Sequence, residues 1–244
     1  MKIYANTDVG CKRQINEDDF CLLQNQHDDL LAVVCDGIGG AAAGEVASSL
    51  AIHTLRESFL QVDTFTSDAQ VNEWIQSSLE LANDRIYKKS MSNQKERGMG
   101  TTCVGCLITH GKTYVFNVGD SRLYAYYEDG LVQMTEDHSV IAQLIKEGKI
   151  TKEEAKHHAQ KNTLTNALGV WHVFRIDTNR IESNYKALLI CSDGLHGYVG
   201  HDQIFDVIKD KKMETRQKVD TLLSLAVKAG GYDNCTVILL ENED

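Results

Sequence analysis

Residues 30–40 read Leu-Leu-Ala-Val-Val-Cys-Asp-Gly-Ile-Gly-Gly. Six apolar residues in succession, bounded by turn residues, are typical of a buried β-strand, here over Leu30–Cys35. Asp36 ends this run and begins the turn. A carboxylate at the end of a core strand is costly to remove from water unless it has a partner. The stretch therefore predicts a core strand with an acidic side chain at its end.

Apolar and β-branched runs of the same kind recur along the chain, and several are separated by short Gly or Asp turns. They predict six further strands: Phe20–Leu23, Thr101–Thr109, Thr113–Val118, Leu123–Tyr127, Ala187–Cys191 and Thr236–Leu240. Three stretches repeat apolar residues with the helical period instead: Gly44–Phe59, Ala69–Lys88 and Thr215–Lys228. Because short connections favour antiparallel pairing and the helices do not alternate strictly with strands, the pattern predicts a layered α+β domain.

The pattern changes between residues 137 and 172. Two short helices are predicted there, Val140–Lys146 and Lys152–Gln160, with a turn at Gly148 between them. No low-complexity segment, long charge block or flexible linker divides the chain. We therefore expect a single domain over residues 1–244, with a small flap at about residues 137–172 that contacts the substrate.

The composition limits the classes of function. The chain has 244 residues and carries 25 basic against 35 acidic residues, a formal net charge of −10. This charge repels the phosphates of nucleic acids and anionic lipid headgroups, so we expect neither a nucleic-acid nor a membrane partner. No apolar stretch resembles a secretory signal or a membrane span, and the seven cysteines cannot all pair. A cytoplasmic protein with reduced thiols is expected.

Four aspartates stand at the end of a predicted strand or just before one. They are Asp36, Asp120, Asp193 and Asp233. If they converge, they repel one another, and the nearby basic residues are few, Arg13 and Arg122 being the exceptions. Hard divalent cations that prefer oxygen ligands, Mg²⁺ or Mn²⁺, are the natural partners, and two such ions form a hydrolytic site. A single Asp-Gly is usually only a turn, so the prediction rests on the four together.

A second acidic group precedes the first predicted strands. Glu17, Asp18 and Asp19 are consecutive, and a solvated loop is the alternative for them. Arg13 is the cation in this segment, and a guanidinium binds two phosphate oxygens at once, although a surface arginine is the alternative reading.

The glycines after Asp36 allow the backbone to approach a ligand closely. The carbonyl of Gly37 is itself able to coordinate a metal ion, and Gly39 and Gly40 follow it. As a phosphate cradle the run is weak, because it lacks the lysine of a P-loop and the spacing of a dinucleotide-binding turn.

Eight short motifs follow one another along nearly the whole chain. They are Thr7-Asp8-Val9-Gly10 with Arg13 and Asn16-Glu17-Asp18; Val34-Cys35-Asp36-Gly37-Ile38-Gly39-Gly40 running to Gly44-Glu45-Val46-Ala47-Ser48; Gly100-Thr101-Thr102; Val118-Gly119-Asp120-Ser121-Arg122; Thr135-Glu136-Asp137-His138-Ser139; Asn162-Thr163-Leu164-Thr165 with Ala167-Leu168-Gly169; Cys191-Ser192-Asp193-Gly194-Leu195; and Gly231-Tyr232-Asp233-Asn234-Cys235-Thr236. In this order they resemble the metal-dependent protein phosphatases, the PPM or type 2C serine/threonine phosphatases, and especially their compact bacterial members.

The resemblance implies a four-layer α-β-β-α sandwich, in which two antiparallel sheets are flanked by helices. It implies an enzyme that hydrolyses phosphoserine and phosphothreonine in proteins. The implied cofactors are two Mn²⁺ or Mg²⁺ ions, with a third in bacterial relatives. The implied partners are phosphorylated proteins, the substrates of a serine/threonine kinase, and a monomer is expected.

The resemblance also assigns roles position by position. Asp36 would bridge two metal ions, the Gly37 carbonyl would help to hold one of them, and Asp193 and Asp233 would hold the other. Asp36 and Asp193 are thus the residues expected to be indispensable for catalysis. Asp120, together with Asp193, matches the place where bacterial relatives bind a third ion.

The remaining assignments concern the substrate and the attacking water. Glu17 and Asp18 would act on the metals partly through bound water, Arg13 would clamp the substrate phosphate, and the flap would shape access for protein substrates. A hydroxide that bridges the metal ions would attack phosphorus in line, so no covalent phosphoenzyme is needed. No cysteine is followed by the arginine that the phosphate loop of a cysteine-dependent phosphatase would use.

Two positions depart from the pattern of the family. Ile38 stands where many eukaryotic members carry a histidine proposed to protonate the leaving oxygen, which leaves a metal-bound water, His138 or His172 as candidates for that acid. His158 is followed by Ala159, where relatives often have proline, and this change affects flap rigidity.

Two other functions are compatible with parts of this sequence. A binding module that keeps the fold would be expected to lack ligand residues, and none is missing. A two-metal hydrolase of nucleotides or nucleic acids uses the same ions, but the negative charge and the absence of basic or base-stacking tracts argue against it.

Overall fold

Two antiparallel sheets stack face to face in this protein, and helices cover the outer face of each. The predicted α+β, four-layer α-β-β-α sandwich with a small flap is therefore confirmed. The computed structural model describes residues 1–39, 43–92, 94–155 and 157–242. Gly40, in the glycine-rich turn, and Lys156, in the second predicted flap helix, lie outside the described residues.

The strands follow one another along the chain as β1 Lys2–Asp8, β2 Asp18–Gln24, β3 Leu30–Ile38, β4 Gly100–Thr101, β5 Cys103–Thr109, β6 Lys112–Val118, β7 Arg122–Tyr127, β8 Gly130–Gln133, β9 Asp177–Ile181, β10 Ala187–Cys191 and β11 Cys235–Glu241. One sheet, the β11 sheet, has the order β1-β11-β10-β7-β8. The other, the β3 sheet, has the order β2-β3-β5-β6-β9, with β4 paired to β3. The helices are α1 Ala43–Leu60, α2 Asp68–Ser92, α3 Val140–Lys146, α4 Lys152–Ala155, α5 Asp193–His196, α6 His201–Lys209 and α7 Thr215–Lys228.

Strand β3 shows why the layers form. Both faces of its first six residues are buried, so Leu30–Cys35 is apolar without a break. Val33 and Cys35 pack towards α1 and α2. Ala32 and Val34 point the other way, into the layer between the two sheets. The next residue on that inner face is Asp36, so the strand carries its carboxylate between the sheets.

The helices bury the apolar faces that the sequence predicts for them. On the β3 sheet, α1 and α2 enclose the rings of Phe59, Phe65 and Trp74, whose centroids are 5.7 to 6.5 Å apart. On the β11 sheet, α7 buries Val219 and Leu222. Within the described residues, no helix combines the length and apolar character needed to cross a membrane.

The differences from the predicted elements have physical causes. The second flap helix, predicted to reach Gln160, is α4 and ends at Ala155; isolated turns follow it, since it has little apolar face to bury. Strands β1, β8 and β9 were not predicted because they lie near or at sheet edges, where polar residues are tolerated. The predicted strand Thr101–Thr109 is divided at Thr102, whose N–H donates to the Asp36 carbonyl across 2.8 Å.

Candidate active site

Carboxylates from both sheets gather at one end of the layer between them. The register of β2 and β3 places Asp18 directly opposite Asp36. From the β11 sheet come Asp193, which begins α5 directly after β10, and Asp233, just before β11. Asp120 follows β6, in the connection to β7. The structure thus brings the strand-end aspartates and Asp18 to the same end of the sandwich.

Asp18 joins the two sheets through one of its oxygens. It is 8% exposed, and its Oδ2 accepts hydrogen bonds from Ser192 Oγ and Thr236 Oγ1, both at 2.7 Å. Its other oxygen, Oδ1, is buried and has no hydrogen-bond partner among the described residues. A buried carboxylate oxygen without a donor is costly, and a cation is the kind of partner that offsets this cost.

Four hydroxyl side chains form a polar layer beneath the carboxylates. They are Thr102, Ser121, Ser192 and Thr236. The Thr102 and Ser121 hydroxyls lie 2.7 Å apart, and Thr102 Oγ1 accepts the Asp36 N–H at 2.9 Å. Ser192 Oγ accepts the Thr236 N–H at 2.9 Å. The sequence analysis assigned no role to this supporting layer; Thr236 lies in β11, and the other three hydroxyl residues lie directly beside the end of a strand.

Glu17 lies where β3 meets the start of α1. Its Oε1 accepts the Gly44 N–H at 3.2 Å, and its carbonyl accepts the Gly37 N–H at 3.0 Å. A Cβ at Gly37 would lie 2.2 Å from the Gly44 carbonyl oxygen, so only glycine fits there. Asn234 accepts the Glu17 N–H at 2.8 Å, which ties this loop to the residue next to Asp233.

Arg13 reaches the acidic cluster from the loop after β1. Its Nη2 lies 2.9 Å from Asp233 Oδ1 and 3.0 Å from Oδ2, and its Nη1 lies 3.6 Å from Glu17 Oε2. The Arg13 side chain is 46% exposed, whereas Asp233 and Glu17 are 22% and 13% exposed. Arg13 is therefore at the rim of the cluster, with its guanidinium paired to acids and still open to solvent.

The clustered carboxylates raise one another's pKa values in the metal-free protein. Burial first, and then the charges of four other aspartates, raise the pKa of Asp36 well above its ordinary value. The pKa of Asp18 is raised to about 7, first by burial and then by the charges of Asp193 and Asp233. Burial and Asp193 raise the pKa of Asp120 to about 8. These mutual effects follow from the placement of the carboxylates at the same end of the sandwich.

The donor set fits hard divalent cations. It consists of carboxylates together with the Gly37 carbonyl, and Mg²⁺ and Mn²⁺ prefer oxygen ligands. The buried Asp18 Oδ1 is an acceptor that a cation or its bound water would satisfy. Within the part of the chain that the structure describes, no three His, Cys, Asp or Glu side chains are already grouped so as to hold a metal ion. The carboxylates converge on one region without enclosing a common point.

A cavity of about 710 Å³ separates the acidic cluster from the flap. Asp120 and Asp193 line it on one side, and Ser139 and Ile145 line it on the flap side. The cavity is partly open to solvent, so a group bound beside the cluster has room to extend under the flap.

The two histidines named as candidate acids for the leaving group, His138 and His172, contact other parts of the structure. The His138 ring accepts the Gly119 N–H at 3.1 Å, and its Nε2 lies 3.0 Å from Asp177 Oδ2. Burial lowers the pKa of His138. His172 packs on Tyr87, against α2. Neither imidazole reaches the acidic cluster, and Ile38 offers no proton.

The buried cysteines are unsuited to act as nucleophiles. Six of the seven are buried and Cys11 is exposed. Burial raises the pKa of Cys21, Cys106 and Cys191 to about 12, so these thiols stay protonated near neutral pH. Cys103 and Cys106 face different layers of the core, as the strand period predicts.

Arg122 forms an ion pair with Asp137 at the base of the flap. Its guanidinium donates to both oxygens of Asp137, with distances of 2.8 and 2.6 Å, and the two side chains are 26% and 12% exposed. Replacement by methionine leaves the mostly buried Asp137 carboxylate without its cation, so we expect Arg122→Met to lower the free energy of unfolding by about 3 kcal/mol. Urea denaturation measures this loss.

The control for this prediction removes both charges. Because the apolar pair leaves no uncompensated charge, Arg122→Met combined with Asp137→Leu should recover most of the loss. A single variant as stable as the unchanged protein would show that the pair does not anchor the flap.

Comparison with known proteins finds similarity along the whole chain. Residues 11–228 match the family model described as protein phosphatase 2C. The chain is 35% identical over 244 residues to the serine/threonine phosphatase stp of Listeria monocytogenes serotype 4b, with 100% of this chain and 96% of that protein covered. It is 34% identical over 249 residues to the protein phosphatase PhpP of Streptococcus pneumoniae serotype 2, covering 100% and 99%.

Solved structures show the same architecture. The serine/threonine phosphatase Stp1 of Staphylococcus aureus superposes with a TM-score of 0.94 at 34% identity, covering 100% of this chain and 95% of that one. The serine/threonine phosphatase PstP/Ppp of Mycobacterium tuberculosis superposes with a TM-score of 0.84 at 30% identity, covering 100% and 99%.

Proposed function

The chain belongs to the protein phosphatase 2C family of serine/threonine phosphatases, and we propose that it hydrolyses phosphoserine and phosphothreonine in proteins with the help of two Mn²⁺ or Mg²⁺ ions. The observation that carries the proposal is the convergence of buried carboxylates from both sheets, one of which has an oxygen without a hydrogen-bond donor. Carboxylates so placed need cations, and a pair of divalent cations suits phosphoryl transfer to water.

We propose that the metal ligands are Asp36, Gly37, Asp193, Asp233, Asp120, Glu17 and Asp18. Asp36 is paired with Asp18 across β2 and β3 and is influenced by the charges of Asp193 and Asp233, so it would help to hold both ions. The Gly37 carbonyl would help to hold one ion, and Asp193 and Asp233 would help to hold the other. Asp120 and Asp193 line the same cavity, which suits them to a third ion.

The protein's own residues orient the reaction. Two divalent ions at this site supply activation of a water molecule for attack on phosphorus and stabilisation of the charge that develops. In this proposal Glu17 and Asp18 hold ordered water, and the guanidinium of Arg13, whose side chain is 46% exposed, binds the phosphate. The buried thiols argue for direct attack by water without a covalent phosphoenzyme.

The proposed substrates are proteins that a serine/threonine kinase has phosphorylated. The flap, at about residues 137–172, forms one wall of the cavity beside the cluster, so it contacts the polypeptide around the phosphorylated residue. We propose that the enzyme acts in the cytoplasm, as a monomer, and that residues 1–244 form one domain.

The test of the proposed function is turnover under controlled metal. Purified protein should hydrolyse p-nitrophenyl phosphate and a phosphothreonine peptide when Mn²⁺ is added, and excess EDTA should stop both reactions. A parallel assay lets nucleotides compete with the phosphopeptide, because a two-metal nucleotide hydrolase is the alternative function. Absence of turnover with Mn²⁺, full turnover in EDTA, or a preference for nucleotides over the phosphopeptide would each contradict the proposal.

Replacement of Arg13 by alanine tests the phosphate clamp. A charge-assisted hydrogen bond to phosphate that is equally strong in the ground and transition states contributes to substrate binding, so we expect KM for the phosphopeptide to rise about 10-fold with a smaller change in kcat. Steady-state kinetics measures both constants. Arg56→Ala, at an exposed position of α1, is the matched control and should leave KM unchanged. Unchanged KM and kcat in Arg13→Ala would remove Arg13 from the site.

A further inference from the structure

Two tyrosines lie side by side at the surface next to the acidic cluster. The rings of Tyr198 and Tyr232 are stacked, with centroids 5.6 Å apart and planes at 29°. Tyr198 is 40% exposed and Tyr232 is 53% exposed. A pair of large aromatic rings that stays in contact with water at the edge of a cavity is a feature of binding surfaces. None of the roles proposed above uses this pair.

The backbone holds the pair in position. Tyr232 directly precedes Asp233, and the N–H of Tyr198 donates to the Leu195 carbonyl at the end of α5 at 3.2 Å. A Cβ at Gly230 would lie 2.1 Å from the Tyr232 ring, so the ring rests on the bare backbone of that glycine. Because one ring is seated on the backbone and stacked on the other, little side-chain freedom is lost when a ligand binds.

The pair stands beside the position where a substrate would react. Tyr198 lines the same 710 Å³ cavity as Asp120 and Asp193. Consecutive Cα atoms of a peptide are about 3.8 Å apart, so a residue within two positions of the phosphorylated one reaches the edge of that cavity. The tyrosines are therefore placed to contact a side chain that flanks the phosphorylated residue.

The electrostatic surroundings of the pair favour a cation. Tyr232 directly precedes Asp233, and Tyr198 lines a cavity together with Glu136 and Asp137, so acidic side chains lie near the rings. Arg13 is itself paired with Asp233. The whole chain carries a formal net charge of −10, which attracts basic peptides. A planar guanidinium stacks on tyrosine faces and is attracted by their negative potential.

We propose that the Tyr198–Tyr232 pair binds the guanidinium of an arginine that lies within two residues of the phosphorylated residue in the substrate. This proposal deepens the proposed function and rests on it. It makes the pair a determinant of substrate choice, because phosphorylated sites that have no neighbouring arginine gain nothing from the stacked rings.

The test compares peptides that differ in one group. Phosphothreonine peptides carry either arginine or citrulline, which has the same shape without the charge, at each position within two residues of the phosphothreonine. At one or more positions the arginine peptide should have a kcat/KM about 3- to 20-fold higher, the range expected for a stacked cation. Replacement of both tyrosines by leucine should reduce this ratio to about 1, whereas replacement of both by phenylalanine should retain it. Tyr127→Leu, at the far end of β7, is the matched control and should keep the ratio.

Several results would overturn the proposal. They are equal kcat/KM values for arginine and citrulline peptides at every position, a ratio that persists in the leucine variant, and a preference for aromatic or aliphatic residues over arginine. Light scattering provides a further check. A dimer that forms in the unchanged protein and is lost in the leucine variant would mean that the tyrosine pair binds a second copy of the chain instead of a substrate. Calorimetric binding of the same peptides to the Asp36→Asn protein, where a 3- to 20-fold tighter arginine complex is expected, tests the pair without turnover. Failure of the phosphatase function is thus distinguishable from failure of this inference.

Discussion

Replacement of Asp36 by asparagine is expected to lower kcat by on the order of 1,000-fold, the effect of losing a charge that acts at the reacting centre. Asp36 lies in β3, two residues before the strand ends, opposite Asp18 and within the influence of the other clustered aspartates. Asparagine keeps the shape and one oxygen but loses the negative charge. An uncharged amide holds two divalent cations far less well, so both the activation of water and the binding of phosphate suffer.

Steady-state turnover of p-nitrophenyl phosphate and of a phosphothreonine peptide at saturating Mn²⁺ measures this loss. The matched control is Asp63→Asn, because Asp63 is an exposed aspartate whose side chain is 78% accessible. It should keep the activity of the unchanged protein. Asp193→Asn should behave like Asp36→Asn. Activity within about twofold of the unchanged protein in Asp36→Asn would refute the assignment of that residue.

The same variant separates loss of function from loss of folding. In the metal-free protein the Asp36 carboxylate is repelled by its acidic neighbours, whose charges act on it together with burial. A neutral amide removes that repulsion while it fills the same space. The melting temperature of metal-free Asp36→Asn should therefore equal or exceed that of the unchanged protein, and a large decrease would mean that the carboxylate stabilises the fold.

The strand-end aspartates were accessible to prediction because their signal is local. An apolar run such as Leu30–Cys35 followed by an Asp-Gly turn identifies a buried strand and the side chain at its end. An apolar run likewise comes before Asp193, and another follows Asp233. Helices α1, α2 and α7 were predicted for the same reason, since each carries its own apolar stripe.

Features that depend on contact between distant segments of the chain could not be predicted from the sequence. The Asp18 carboxylate is held by Ser192 and Thr236, which are 174 and 218 residues away along the chain. A serine or threonine at the end of a strand has no local feature that distinguishes it from an ordinary turn residue. The stacking of Tyr198 on Tyr232 is likewise set by the position of α5 beside the segment before β11. These contacts follow from the packing of the two sheets, which periodicity does not specify.

Edge elements were missed for a related reason. Among the residues that the structure describes, strand β9 pairs with β6 alone, and three of its five residues are exposed, so its sequence lacks an apolar run. Helix α6 is nine residues long, and its apolar face, formed by Ile204, Phe205 and Ile208, was not recognised in so short a stretch. Burial on one side of a short element leaves few constraints on its sequence, and such elements become recognisable only when the sheet beside them is known.

Addition of Mn²⁺ to the metal-free protein is expected to raise the melting temperature by about 5 to 10 °C. A ligand that binds only the folded state at 100 times its dissociation constant stabilises it by about 2.7 kcal/mol, and each kcal/mol shifts the midpoint of a protein this size by about 2 to 4 °C. The physical reason lies in the cluster itself. Cations bound there would satisfy the buried Asp18 Oδ1 and screen the repulsion that raises the pKa values of Asp36 and Asp193.

Thermal denaturation in a manganese titration, with EDTA to reverse it, measures this shift independently of turnover. Asp63→Asn should show the full shift, whereas Asp36→Asn and Asp193→Asn should lose most of it, because each removes an anionic ligand from the cluster. This pattern separates specific binding from a general effect of divalent salt, which would act on all three variants alike. No shift at millimolar Mn²⁺ in the unchanged protein, or equal shifts in every variant, would mean that these carboxylates are brought together for a purpose other than holding metal ions.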